Sequence, residues 1–337
     1  MTVMPSKSWS RRIYETVAHN MRKYLLTLLI GIIILASCQE KPERTKKLNY
    51  QITTSDVDNF WAAYDSLKTS KDSIRTFQKL YLDKASPEFE KFIELRDFEA
   101  KDYVDWIKAT PKFWKTVRPL TMEVKEKREK FDEIYLKMDE LYDNFQPPNI
   151  CFAISPIRTG GTTSQGLILI GTEIASVNPK FVDISEIDGF IKKVFQNSTG
   201  DINSLIAHEL VHTQQPKGDN EDSSLLSQSI TEGSADFIGS LILGKLTMNK
   251  AIFEYGEENE KALWNEFKQD VKAKRGFDDT DWFYNYNSNR PADLGYYLGY
   301  KITESYYKNS TDKKRAIKEI LEMENAEEFL KNSKYSE

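Results

Sequence analysis

The chain has 337 residues, of which 39% are hydrophobic, 12% aromatic and 29% charged. With ordinary Gly and Pro content, this excludes collagen-like, low-complexity and wholly disordered chains and leaves enough apolar material for a sizeable core. A formal net charge of −5 argues against a protein that neutralises many nucleic-acid phosphates, and two cysteines exclude a disulfide scaffold or a multi-cysteine zinc module.

The N-terminus reads as an export signal. Met21-Arg22-Lys23 precedes an apolar stretch from Tyr24 to Ala36, too short to span a bilayer but suited to the apolar core of a signal peptide. It ends Leu35-Ala36-Ser37-Cys38, which looks like a bacterial lipobox, with Cys38 as the lipidated new N-terminus. Residues 1–20 have no apolar period, so the expected start is Met21, and residues 1–37 are the leader. That leader carries five basic side chains and one acidic, so the chain from Cys38 on has a net charge of −9. Gln39 in place of Asp favours the outer membrane in a Gram-negative envelope. Residues 38–50 are polar and rich in Lys and Glu, a tether between lipid and body. Cys151 sits in the apolar run Ile150–Ile154 and reads as a small core hydrophobe.

Residues 51–337 are expected to form one helix-rich body, with a helical part over 51–147 and a core over 148–337. Ser55 and Asp56 open a helical pattern through Phe60, Trp61 and Tyr64. Further helices are expected near 72–82, 87–95, 101–108 and 111–117, broken around Pro87, Pro111 and Pro119. A long helix over about 121–145 carries Val124, Phe131, Met138 and Phe145 as one apolar stripe. Ile150–Ile154 and Leu167–Ile170 read as strands, with Gly160–Thr163 as a turn or loop between them. From about 183 the pattern is helical, apart from loops near 216–222 and 276–291. The fold class is therefore α+β, mostly α, with a small central sheet.

The chemistry concentrates at 208–236. His208-Glu209-Leu210-Val211-His212 is the pattern H-E-x-x-H in a helical apolar period, with Asp201 placed to cap it. Two imidazoles at i and i+4 share a helix face and can bind one zinc ion, while Glu209 flanks the metal as a general base. The alternative is an ordinary helix bearing two histidines. Of the three histidines in the chain, His19 leaves with the leader, and Gly218 stands where a metzincin would have its third. The third ligand must therefore be Asp, Glu or water. Thr231-Glu232-Gly233-Ser234-Ala235-Asp236 supplies Glu232 as ligand and Asp236, one turn on, to hold a histidine by its other ring nitrogen.

These residues resemble the gluzincins, zinc metalloproteases in which a Glu on a second helix completes the site. The resemblance implies that Asp236 orients His208. Thr231 stands where thermolysin-like members have Asn, so the support of His212 is left open. Phe60/Trp61/Tyr64, Gly160-Gly161-Thr162, the His-Glu helix, Glu232–Asp236 and Gly295–Tyr300 are similar to a family of predicted bacterial zinc-dependent proteases that includes gliding-motility-type lipoproteins. This implies a zincin-like core that binds peptide or protein substrate. Leu167–Ile170 is a candidate substrate-pairing strand, with a core strand as the alternative. Trp282, Phe283, Tyr284 and Tyr286 either line a cleft or pack. An oxyanion donor is expected from Tyr296, chosen over Tyr300, with Arg290 in reserve; the alternative is that Gly295–Tyr300 is a tightly packed aromatic helix.

The expected function is thus a lipid-anchored zinc peptidase. Its rivals are a non-catalytic envelope or motility lipoprotein with a structural zinc, and a hydrolase of another amide such as a peptidoglycan cross-link.

Overall fold

The computed structural model describes residues 48–216, 224–285 and 290–335. The leader, Met21, Cys38 and most of the tether lie outside the described residues, as do Gly218 and Tyr286. Leu48–Glu337 clusters as one unit. It is mostly helical around one small mixed sheet, as the sequence pattern leads one to expect, and no described helix is long and apolar enough to cross a membrane.

Strand β1 (Ile52–Thr53) leads into helices α1 (Ser55–Ser66), α2 (Ser73–Leu80), α3 (Pro87–Arg96), α4 (Ala100–Ala109), α5 (Pro111–Met122) and α6 (Arg128–Leu141). The expected long helix over 121–145 is broken. Its stripe residues Val124, Phe131, Met138 and Phe145 are all buried, but a 3-10 turn at Glu123–Glu126 separates α5 from α6. Helix α5 instead runs through Pro119. Pro119 and Lys115 are both exposed, so water can satisfy the Lys115 carbonyl that proline leaves without a donor.

The sheet comprises β1, β2 (Asn149–Ala153), β3 (Gly161–Ser164) and β4 (Leu167–Gly171), in the order β1-β2-β4-β3. The first two pairings are parallel, and β3 is antiparallel to β4. One expectation is corrected and one alternative is decided. Gly161–Ser164 is a strand, because the turn at Gln165 and Gly166, with Gly166 at φ +67°, folds it back on β4. Leu167–Ile170 is therefore an interior core strand, buried along its length, and β3 takes the edge.

An aromatic cluster joins the helical part to the sheet. Phe60 lies within 6.4 Å, ring to ring, of Trp61, Tyr64, Phe77, Tyr81, Tyr103 and Trp114. Each such buried ring contributes about 1.5–3 kcal/mol. The cluster would leave phenol groups stranded in apolar surroundings, but Tyr81 and Tyr103 both donate to the Ile154 carbonyl, at 2.7 and 3.0 Å. The same hydroxyls thus clasp the end of β2. Cys151 is fully buried, and burial pushes its thiol far above the ordinary range, which fits a core residue and not a nucleophile.

After α7 (Thr172–Ala175) come α8 (Gly189–Gln196), α9 (Ile202–His212), α10 (Leu225–Leu243), α11 (Lys250–Lys272), α12 (Leu294–Asn309), α13 (Lys313–Leu321) and α14 (Ala326–Ser333). Glu173 in α7 is fully buried. It receives the Ser155 amide at 2.9 Å and a short bond from the Ser155 hydroxyl. Burial outweighs these donors and pushes its pKa from 4.5 to about 8. The folded protein then holds this proton more tightly than the unfolded chain. The stabilisation is full below pH ~4.5 and is lost as pH rises through about 8, at roughly 1.4 kcal/mol per unit. Glu173→Gln is expected to flatten that decline, read from urea midpoints between pH 5 and 8.5. An identical slope in the variant rejects the assignment.

Candidate metal centre

Helices α9 and α10 bring the candidate ligands together. Asp201 stands at the N-cap of α9, but its carboxylate does not cap the helix. It binds the Ser204 hydroxyl at 2.7 Å and pairs with Lys245 instead. Ser224 caps α10 through the Ser227 amide, and Gly244 closes it at φ +65°. Small residues Gly233, Ser234 and Ala235 are all buried, so α10 packs closely against both α9 and α12.

His208, His212 and Glu232 converge, with ligand atoms all within 4.8 Å of one another. His208 Nε2 and His212 Nε2 are 3.0 Å apart, and Glu232 Oε2 lies 3.3 Å from the first and 3.2 Å from the second. Tetrahedral zinc with bonds of about 2.0–2.1 Å places its ligand atoms roughly 3.3 Å apart, so these spacings fit such a shell.

The protonation pattern fits a cation as well. His208 Nδ1 meets Asp236 Oδ1 at 3.1 Å, and a carboxylate accepts from N–H. His212 Nδ1 meets Gln215 Oε1 at 2.7 Å. The Gln215 amide is oriented by its own Nε2, which donates to the Thr231 carbonyl at 3.0 Å and to the Ser234 hydroxyl at 2.9 Å. Both Nδ1 atoms therefore carry hydrogen, and both Nε2 atoms present lone pairs. Three lone pairs then face one another across little more than 3 Å. That arrangement calls for a cation or for added protons. In the protein alone, burial opposes charge on both imidazoles. Asp236 and Glu232 beside His208, and Glu232 beside His212, outweigh it and hold both pKa values up. Burial also acts to raise Glu232, but the two imidazoles outweigh it and hold that carboxyl far below the usual range.

Glu209 is buried beside this group without joining it. Among the described residues its carboxylate has no hydrogen-bond partner. Burial raises its pKa, against the pull of His212, His208 and Arg96. Gly161 of β3 makes room for it, since a Cβ there would sit 2.5 Å from Glu209 Oε1. The Gly171 amide bonds the Gly160 carbonyl, at 2.9 Å. Antiparallel pairing alternates, so Gly161 and Thr163 turn their backbone groups outward. The Thr159 hydroxyl already occupies the Gly161 carbonyl, at 2.9 Å. Among the described residues, the Gly161 N–H and both Thr163 groups have no partner and face the strand edge, where Gly161 lies against Glu209.

Tyr296, at the start of α12, lies face to face with His208 at 6.2 Å between ring centroids. Burial and then Glu232 push its phenol far above the usual range, so it remains a donor. Tyr300 packs instead against Phe237 and Phe253. Arg290 is held by both Glu266 oxygens, at 2.9 and 3.0 Å, and lies over Trp282. Trp282 and Phe283 are buried packing residues, whereas Tyr284 is 59% exposed and feels the charges of Glu232 and Arg96.

A family model described as gliding motility protein GldB matches residues 37–337. The chain belongs to that family. No curated protein and no solved structure matches it. The match supports the gliding-motility lipoprotein half of the resemblance drawn from the sequence and does not extend to the protease half. In this GldB-family chain, sequence reasoning missed Gln215, which does for His212 what Asp236 does for His208. Its position one turn after His212 was an available signal. It also missed the contact of Gly161 with Glu209, and Arg96, to which no local pattern points.

Proposed function

We propose that this GldB-family protein is an envelope lipoprotein, anchored through Cys38, that binds one zinc ion through His208, His212 and Glu232 and hydrolyses peptide bonds. The observation that carries the reading is the convergence of three oriented lone pairs beside a buried carboxylate that is not among them. When bound, zinc would polarise the scissile carbonyl and lower the pKa of a nearby water. Asp236 and Gln215 hold the two imidazoles in the tautomer that presents Nε2. Glu209 takes the attacking water's proton on its carboxylate and passes it to the leaving amine. The open edge of β3 receives an extended peptide through main-chain hydrogen bonds. Tyr296 donates its phenolic hydrogen to the oxygen that gains negative charge.

A second reading is a non-catalytic gliding-motility lipoprotein whose zinc only clamps α9 to α10. The family match favours it, because that match names motility and no hydrolysis. Glu209, which has no hydrogen-bond partner among the described residues, and the phenol of Tyr296 favour the enzyme, since a structural clamp needs neither.

Elemental analysis of the purified protein from zinc-replete cells is expected to give one zinc per chain, and His212→Ala to lose it. A stoichiometry near zero in the wild type removes both readings. Tyr296→Phe is expected to keep zinc and lower kcat by about 10²–10³ in a peptide-library cleavage assay. An unchanged kcat in the zinc-loaded variant removes Tyr296 from the mechanism.

A further inference from the structure

Arg96 is the last residue of α3, far from α9 in sequence, yet its side chain reaches the edge strand β3 that carries Gly161. The chain reverses after it, with Asp97 at φ +49°. Arg158 fixes that reversal by donating to the Arg96 and Asp97 carbonyls, at 2.7 and 3.0 Å. It thereby supplies the positive group that a helix C-terminus favours. The Arg158 guanidinium is itself balanced by Asp102, at 3.2 Å. The Arg96 side chain is pinned in turn, its Nη2 donating to Thr162 Oγ1 at 2.8 Å. Thr162 is the edge-strand residue next to Gly161, which touches Glu209.

The guanidinium is exposed, and among the described residues no carboxylate lies within 4.0 Å of it. Through Thr162 it stands one residue along β3 from Gly161, against which the Glu209 side chain packs. Among the described residues, several arginines are paired with carboxylates, as Arg118 is with Asp65, Arg290 with Glu266 and Arg315 with Glu319. Arg96 is thus a tethered cation with a single neutral partner, beside a strand edge with open backbone groups. A guanidinium offers five N–H donors in a fork that matches a carboxylate, and here one donor is committed to Thr162.

We propose that Arg96 is the specificity residue of the candidate site and receives a carboxylate of the peptide laid along β3. That carboxylate is either the chain terminus or an acidic side chain. The proposal rests on the peptidase reading, and its test separates the two. The probes are three dansyl-labelled pentapeptides: all-alanine with a free C-terminal carboxylate, the same chain amidated, and the amidated chain with one alanine replaced by glutamate. Binding is followed by fluorescence anisotropy with the full protein in detergent, in a Glu209→Gln background that prevents cleavage.

A carboxylate-bearing peptide is expected to bind about 10–100-fold more tightly than the amidated all-alanine one. Preference for the free acid identifies a terminal carboxylate as the ligand, and preference for the glutamate peptide an acidic side chain. Arg96→Ala should remove the preference while leaving affinity for the amidated all-alanine peptide unchanged. Arg96→Lys should restore part of it. Thr162→Val, which releases the tether and keeps the cation, should weaken it. A preference that survives in Arg96→Ala overturns the proposal, as does equal binding of all three peptides, and either result leaves the peptidase reading intact. If no peptide binds to the zinc-loaded protein, both fall.

Discussion

Glu209→Gln is expected to abolish peptide hydrolysis and leave one zinc per chain in place. Glutamine fills the space of glutamate and keeps one carbonyl oxygen, so Gly161 and β3 need not move. What it loses is the capacity to accept a proton. Glu209 stands apart from the three converging donor atoms, and the variant should therefore hold metal as the wild type does. Loss of a positioned general base typically costs about 10²–10⁴-fold in rate. The same variant divides the two functional readings. A clamp that only joins α9 to α10 would show no difference from the wild type in any motility or envelope assay. A hydrolase would lose its activity with fold and zinc preserved. Cleavage at the wild-type rate by the zinc-loaded variant excludes Glu209 as the base.

Much of the centre is legible in the sequence because its parts are local. His208 and His212 are one helical turn apart, and so are Glu232 and Asp236, so spacing alone assigns each pair to a shared face. Joining the two pairs needs α9 and α10 to pack, and the run Gly233-Ser234-Ala235 advertises that close approach. Other features depend on the path of the chain through space. The edge strand was misplaced because Leu167–Ile170 has the apolar, β-branched composition of a strand, whereas Gly161–Ser164 reads as turn material until β4 is seen to pair with it. The break between α5 and α6 is silent because Val124, Phe131 and Met138 keep facing the core on both sides of it. Arg96 carries no signal at all, since its place beside β3 comes from where α3 ends relative to that strand.

Gly299→Ala is expected to cost the fold several kcal/mol and to disturb the metal centre with it. A Cβ at Gly299 would lie 1.6 Å from the Ser229 carbonyl oxygen, and one at Gly233 would lie 2.1 Å from the Tyr300 amide nitrogen. These are backbone atoms on α10 and α12, so no side chain can turn aside and the helices must part. Alanine gains about 1 kcal/mol over glycine in helix propensity. Overpacking a core costs about 1–3 kcal/mol even where neighbours can yield, and here they cannot. The contact is also what registers α12 against the site. Tyr296 lies one turn before Gly299, and Glu232 is the neighbour of Gly233. Separation of the helices would therefore draw the Tyr296 ring away from His208 and loosen Glu232 from the two imidazoles. The expected result is a thermal midpoint lower by roughly 5–10 °C, together with weaker retention of zinc against a chelator. A variant with the wild-type midpoint and wild-type zinc retention would mean that α10 and α12 do not meet backbone to backbone, and that Tyr296 is not held over the site by this contact.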